Sequence, residues 1–359
     1  MMIVHRYMGK ELLLNFLVIL IFLNIILFMH KFLQLTRMVL IKGADLGDIF
    51  WIFVYLQPSL MLLTIPMAFI ISVFLVFGRM LTDNEMVAIR ASGMSFWNIS
   101  KPIFIIAVFG LVASMFFSLY FAPSGLRAFK TLFYKVIAGK AALSFESGTF
   151  SKTFKDTVIF VNKKVSDEKL KGIFIYRQMK DRQPMVTVAK EAVFMPKPEE
   201  RLIMLSLNDA VFHSSGTDNT STSGVFKKYT LALTSADEQD ENAKLDEIAL
   251  TDLWNKRNDQ AYNAEMHRRF SLPFVCVIFA FLAPSLALLT GKTGKVGGIF
   301  ISFFIWILYY LLFTLGGSIS STGNLAPIFG IWGPNLVFGI LGVWFFLKAQ
   351  YEGQMRLRK

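Results

Sequence analysis

The stretch Leu12-Leu13-Leu14-Asn15-Phe16-Leu17-Val18-Ile19-Leu20-Ile21-Phe22-Leu23-Asn24-Ile25-Ile26-Leu27-Phe28-Met29 decides the fold. It contains no charged side chain, and a helix needs about 20 apolar residues to cross a hydrocarbon core roughly 30 Å thick. The His5, Arg6 and Lys10 side chains before it resemble the start of a secretory signal. The run is longer than the apolar region of about 7–15 residues in such signals, and no small-residue cleavage site follows. It therefore reads as an uncleaved first span. Working outward, apolar stretches occur at 12–34, 50–78, 102–122, 270–290, 297–320 and 328–347. The expected fold is an α-helical membrane protein with six transmembrane helices. Residues 124–266 are too polar to cross a bilayer and form an insertion between the third and fourth spans.

Composition agrees. Of 359 residues 54% are hydrophobic and 17% charged, against about 45–50% and roughly 25% in soluble domains. The net charge of +12 would suggest nucleic acid in a soluble protein, but in a membrane protein it belongs to cytoplasmic loops. Cys276 is the single cysteine, so no intramolecular disulfide can form. Six spans put both termini on one side. Arg6, Lys10, Arg79, Arg90, Lys101, Lys292, Lys295, Lys348, Arg356, Arg358 and Lys359 then fall inside, and only Lys31, Arg37 and Lys42 fall in the short outer loops. Eleven cations against three place the termini in the cytoplasm and the insertion in the periplasm.

Within the insertion, short β-branched or alternating runs recur at 157–161, 172–176, 186–188, 201–207 and 229–233. This spacing predicts a β-sandwich or roll rather than βαβ units. The stretch from His213 to Gly224, rich in Ser, Thr, Gly and Asn, reads as a loop. Residues 126–143 and 247–266 have helical spacing and carry the chain between membrane and β domain.

Catalytic signatures are weak. Gly291-Lys292-Thr293 looks like the end of a phosphate-binding loop, but that motif needs a glycine where Leu286 stands, so a basic turn between spans four and five is the better reading. The four histidines lack ligand-like neighbours, so neither a metal site nor a cofactor is expected, and Asn15, Asn24 and Thr64 read as interhelical hydrogen-bonding groups. Lys31, Arg37 and Lys42 lie at the outer end of span one, against the positive-inside trend. They either snorkel to head groups or hold an anionic, phosphorylated ligand. Between spans two and three, the segment from Gly78 to Ser95 predicts a short interfacial helix of about ten residues, at about 82–94, with Thr82 or Asp83 as cap, Glu85 at its positive dipole end and Gly93 as its stop. Its functional reading is a docking element for a cytoplasmic partner.

The run Asp83-Asn84-Glu85-Met86-Val87-Ala88-Ile89-Arg90-Ala91-Ser92-Gly93 resembles the coupling helix of the lipopolysaccharide-export permeases, the LptF/LptG (YjgP/YjgQ) family. Glu265-Met266-His267-Arg268-Arg269-Phe270-Ser271-Leu272-Pro273, Tyr309-Tyr310, Gly323-Asn324-Leu325-Ala326-Pro327 and Trp332-Gly333-Pro334-Asn335 agree with it. Met2-Ile3-Val4-His5-Arg6-Tyr7 and Leu253-Trp254-Asn255 are more similar to the F-type subunit. The resemblance implies a non-catalytic permease subunit of an ABC exporter that extracts lipopolysaccharide from the inner membrane. The implied partners are an LptG-like second permease, an LptB-like ATPase dimer and an LptC-like bitopic protein, with a periplasmic β-jellyroll domain passing the lipid to a bridge. Residues 1–123 would hold spans one to three, 124–266 the β domain and 267–359 spans four to six. By the same resemblance Lys31, with Arg37 and Lys42 beyond it, would bind substrate, while Glu85 and Arg90 would couple to the ATPase. The competing readings are a permease for a lipoprotein or glycolipid and a membrane anchor that transports nothing.

Overall fold

The computed structural model describes residues 2–41, 46–140, 147–154, 157–166, 169–179, 182–197, 202–215, 221–233, 245–290, 294–323 and 325–357. Among the described residues six helices are long and apolar enough to span a membrane: Ile3–His30, Gly47–Thr82, Phe96–Phe133, Gln260–Thr290, Val296–Ser321 and Pro327–Tyr351. The helical elements are α1 (Met2–Ile41), α2 (Leu46–Thr82), α3 (Glu85–Ala91), α4 (Phe96–Phe116), a π-helical turn (Phe117–Phe121), α5 (Ala122–Lys140), α6 (Leu250–Asn255), α7 (Gln260–Thr290), α8 (Gly294–Ser321) and α9 (Pro327–Leu357). The chain is a multi-pass membrane protein. It divides into one compact unit formed by residues 1–30, 56–126 and 245–359, and a second formed by residues 31–55 and 127–244.

In the first unit spans two and four form the centre, with Phe69, Phe74 and Phe77 of α2 and Cys276, Phe279 and Ala280 of α7 almost fully buried. Span one is the peripheral element, leaving Leu14, Val18, Ile21, Phe22 and Ile25 exposed to apolar surroundings. Lipid tails are as apolar as these side chains, so helix association in a bilayer relies on close packing and polar contacts. Both are present. A Cβ added at Gly316 would stand 1.9 Å from the Gly330 carbonyl oxygen, so α8 and α9 meet backbone to backbone. Asn24 Nδ2 donates to Thr64 Oγ1 at 3.0 Å and Gln57 Nε2 donates to Asn24 Oδ1 at 2.9 Å, joining spans one and two. Asn15 behaves otherwise: its Nδ2 donates back to the Glu11 carbonyl within α1. The Tyr309 hydroxyl donates to Asn335 Oδ1 at 2.6 Å and Asn335 Nδ2 to Ser271 Oγ at 2.7 Å, tying spans five, six and four through a buried chain.

In the second unit six antiparallel strands among the described residues form a single sheet in chain order: β1 (Phe150–Phe154), β2 (Thr157–Lys164), β3 (Lys169–Met179), β4 (Arg182–Lys197), β5 (Leu202–Ser215) and β6 (Ser221–Leu233). The described strands make one continuous antiparallel ladder, not two separate sheets. The phase of the buried residues slips by one along the strands: Ile173 and Ile175 are buried in β3, but so is Leu170; Ala189 in β4, but so is Ala192. The slip occurs where Gly172 and Asp209 take left-handed φ values of 66° and 51°, with Lys190 between them across the ladder. The pairing stays one-to-one through this row, so the left-handed backbone there, and not a residue inserted in one strand, changes the phase and keeps both halves of the inner face apolar.

Two expectations change. The stretch His213–Gly224 is not a loop at its ends, because His213 faces Ser223, Ser214 faces Thr222 and Ser215 faces Ser221 as the last rungs of the β5–β6 hairpin. Hydroxylated residues suit an exposed strand end, and composition alone misread them; residues 216–220 lie outside the described ones. The helical segment at 247–266 is broken at 256–259, between α6 and α7.

Candidate functional site

The turn between spans two and three is held by one guanidinium. Arg79, in the last turn of α2, donates from Nε and Nη2 to the two carboxylate oxygens of Glu11 in α1, both at 2.6 Å. Its Nη1 donates to Glu85 Oε1 at 2.8 Å and to Asp83 Oδ2 at 3.2 Å, and Nη2 also reaches the Tyr7 hydroxyl at 2.7 Å. The planar fork of arginine suits this bidentate arrangement, which a lysine could not reproduce. Glu11 and Arg79 are about four-fifths buried, with side-chain exposures of 21% and 22%. The start of span one is also fixed to span three, through His5 Nε2 donating to the Asn98 carbonyl at 2.8 Å.

The α3 helix is shorter than expected, seven residues from Glu85 to Ala91. Neither Thr82 nor Asp83 caps it. Thr82 Oγ1 donates to the Gly78 carbonyl, Asp83 accepts from Arg79, and the N-cap is Asn84, in the left-handed region without a side-chain cap bond. Gly93, at φ 82°, ends the turn as the sequence suggested. Met86 plugs α3 into the core at 1% exposure, while Val87 on the outer side is 63% exposed. Arg90 lies over the Phe96 ring at 5.5 Å.

Of the other site candidates, Lys31 and Arg37 lie on the continuous helix α1, with side chains outside the described residues, and Lys42 lies outside them altogether. The structure thus brings Glu85 together with Arg79 and Glu11; the side chains of the three outer cations lie outside the described residues. Sequence reasoning missed Glu11, Tyr7 and Arg79 as a unit. The signal was present: an acidic and a basic residue each border an apolar run on the same side of the membrane.

A second buried ion pair stands where the chain returns from the β domain. Arg269 donates from Nε to Glu265 Oε1 at 2.8 Å and from its two terminal nitrogens to the carbonyls of Ile248, Leu245 and Asp246. Arg268 binds the other Glu265 oxygen at 2.7 Å and also Asp246. The Glu265-to-Pro273 motif therefore fixes the re-entry segment to the first turns of span four. Among the described residues no group of three or more metal-ligating side chains converges.

The family described as "Lipopolysaccharide export system permease LptF/LptG" matches residues 6–348. The chain belongs to the LptF/LptG family. The lipopolysaccharide export system permease protein LptF of Escherichia coli K12 is 21% identical over 352 residues, covering 95% of this chain and 94% of its own. LptF of Shigella flexneri matches with the same identity and coverage. An uncharacterised protein of Rickettsia prowazekii is 20% identical over 189 residues, covering 53% of this chain and 52% of its own. The family match spans both the tethered helix and the Glu265 motif.

Proposed function

We propose that this chain is a permease subunit of an ATP-driven ABC transporter that extracts lipopolysaccharide from the bacterial inner membrane and passes it to a periplasmic bridge toward the outer membrane. The observation that carries the reading is the family match across residues 6–348. Both termini and α3 are cytoplasmic and the β domain periplasmic, a placement supported by the eleven-to-three distribution of cations. The chain pairs with an LptG-like permease, an LptB-like ATPase dimer and an LptC-like bitopic protein. Hydrolysis belongs to the ATPase, and the permease supplies the apolar path. Extraction exposes acyl chains at about 0.8 kcal/mol per CH₂, which requires that coupling.

Lys31, Arg37 and Lys42 bind the phosphates or core sugars of the lipid at the outer end of span one. Glu85 and Arg90 couple α3 to the ATPase, whose groove receives the face carrying the exposed Val87. Glu85 keeps a side-chain exposure of 32% while bound to Arg79, so it also has a side open to a partner. The test is purification with co-expressed neighbours and mass spectrometry of what is bound. An ATPase together with lipid A-containing lipid supports the reading; a lipoprotein or an unrelated glycolipid overturns the substrate, and absence of any ATPase overturns the transporter.

A further inference from the structure

We propose that Arg79 is a positioning residue that clamps α3 to the first span through Glu11, so that α3 and the N-terminal part of α1 move as one body. The inference rests on the coupling reading and gives it a route. Glu11 is 74 positions before Glu85 in the chain, yet both carboxylates grip the same guanidinium, at 2.6 Å and 2.8 Å. A seven-residue helix is too short to persist by itself. The direction of α3 is set instead by Met86 in the core and by this ion cluster. Tyr7 adds a second hold on the same arginine, by its hydroxyl at 2.7 Å and its ring at 5.7 Å. The Glu11–Arg79 pair is mostly withdrawn from water, and removing one member of such a pair leaves the other charge without its match. A push received by α3 therefore reaches span one directly, and not only span two, to which α3 is joined in the chain. Span one is the span with the least internal packing: 17% of its most apolar stretch is buried, against 72% in span two.

The test compares Glu11→Gln, Arg79→Gln, Arg79→Lys and Glu85→Gln in the purified complex with its ATPase. Spin labels at Leu14 and Ser92, both exposed, report the distance between span one and the end of α3 with and without trapped nucleotide. The clamp predicts one narrow distance in both states for the unsubstituted complex, and a broadened or nucleotide-dependent one in Glu11→Gln and Arg79→Gln. It further predicts that lipid released per ATP hydrolysed falls roughly five-fold or more in these two variants and is partly recovered in Arg79→Lys, with ATPase stoichiometry retained. A Glu11→Gln complex with unchanged distances and unchanged release per ATP overturns the clamp, as does a Glu85→Gln complex whose distance stays as narrow as the parent's, since Glu85 holds α3 to the same guanidinium. The distance measurement does not depend on which lipid is carried, so failure of the substrate reading is told apart from failure of the clamp.

Discussion

Asn84 sits at φ 59° immediately before α3, and the left-handed region costs an L-residue with a Cβ about 1–2 kcal/mol, a penalty that Asn tolerates better than most and Gly escapes. Asn84→Ala should lower the thermal stability of the purified protein by about that amount, while Asn84→Gly should leave it near the parent; equal melting of the two variants would remove the strain argument. The sequence shows Asn84 followed by Glu85, but not the backbone angle, so capping statistics pointed one or two residues too early. Lys31 is the opposite case, legible in sequence by its position against the positive-inside trend. If it binds phosphate, Lys31→Glu should reduce lipopolysaccharide recovered with the complex about tenfold, from a contact worth roughly 1–3 kcal/mol, with the ATPase still attached. Unchanged recovery would return Lys31 to a head-group anchor. Glu11 and Arg79 were visible as charges but not as a pair, because they stand 68 positions apart, at the start of one span and the end of the next.

At the scale of elements, the six spans and five of the six strands could be read from apolar runs and β-branched alternation, since burial in lipid and burial under a sheet leave different periods. β1, with Ser151, Lys152 and Thr153 between its phenylalanines, carries too little apolar signal to stand out. The length of β4, sixteen residues from Arg182 to Lys197, was hidden because the change of phase at Lys190 interrupts the alternation. The re-entry staple was legible as a motif without its reason. Arg269 is 4% exposed and holds Glu265 and three carbonyls. Removing one partner of such a buried pair typically costs about 3–5 kcal/mol. Arg269→Ala should therefore destabilise the protein far more than Asn84→Ala and expose the segment 245–259 to proteolysis. Cleavage there at the parent's rate would contradict the staple.

For the molecule as a whole, the proposed orientation rests on charge distribution rather than on any contact. Lys190, exposed on the β domain, and Ser92, exposed after α3, fall on opposite sides of the membrane in this account. A cysteine at position 190 should react with an impermeant thiol reagent in intact spheroplasts and one at position 92 only after lysis; Cys276 is buried and leaves a quiet background. The reverse pattern would invert the topology. The most direct test of the central claim is ATP-dependent release of lipopolysaccharide from proteoliposomes containing this chain, its permease partner and its ATPase, with a phospholipid of similar acyl length as control. Release of lipopolysaccharide in step with hydrolysis is expected, with little release of the control lipid. Hydrolysis without lipopolysaccharide release, or equal release of both lipids, would contradict that claim.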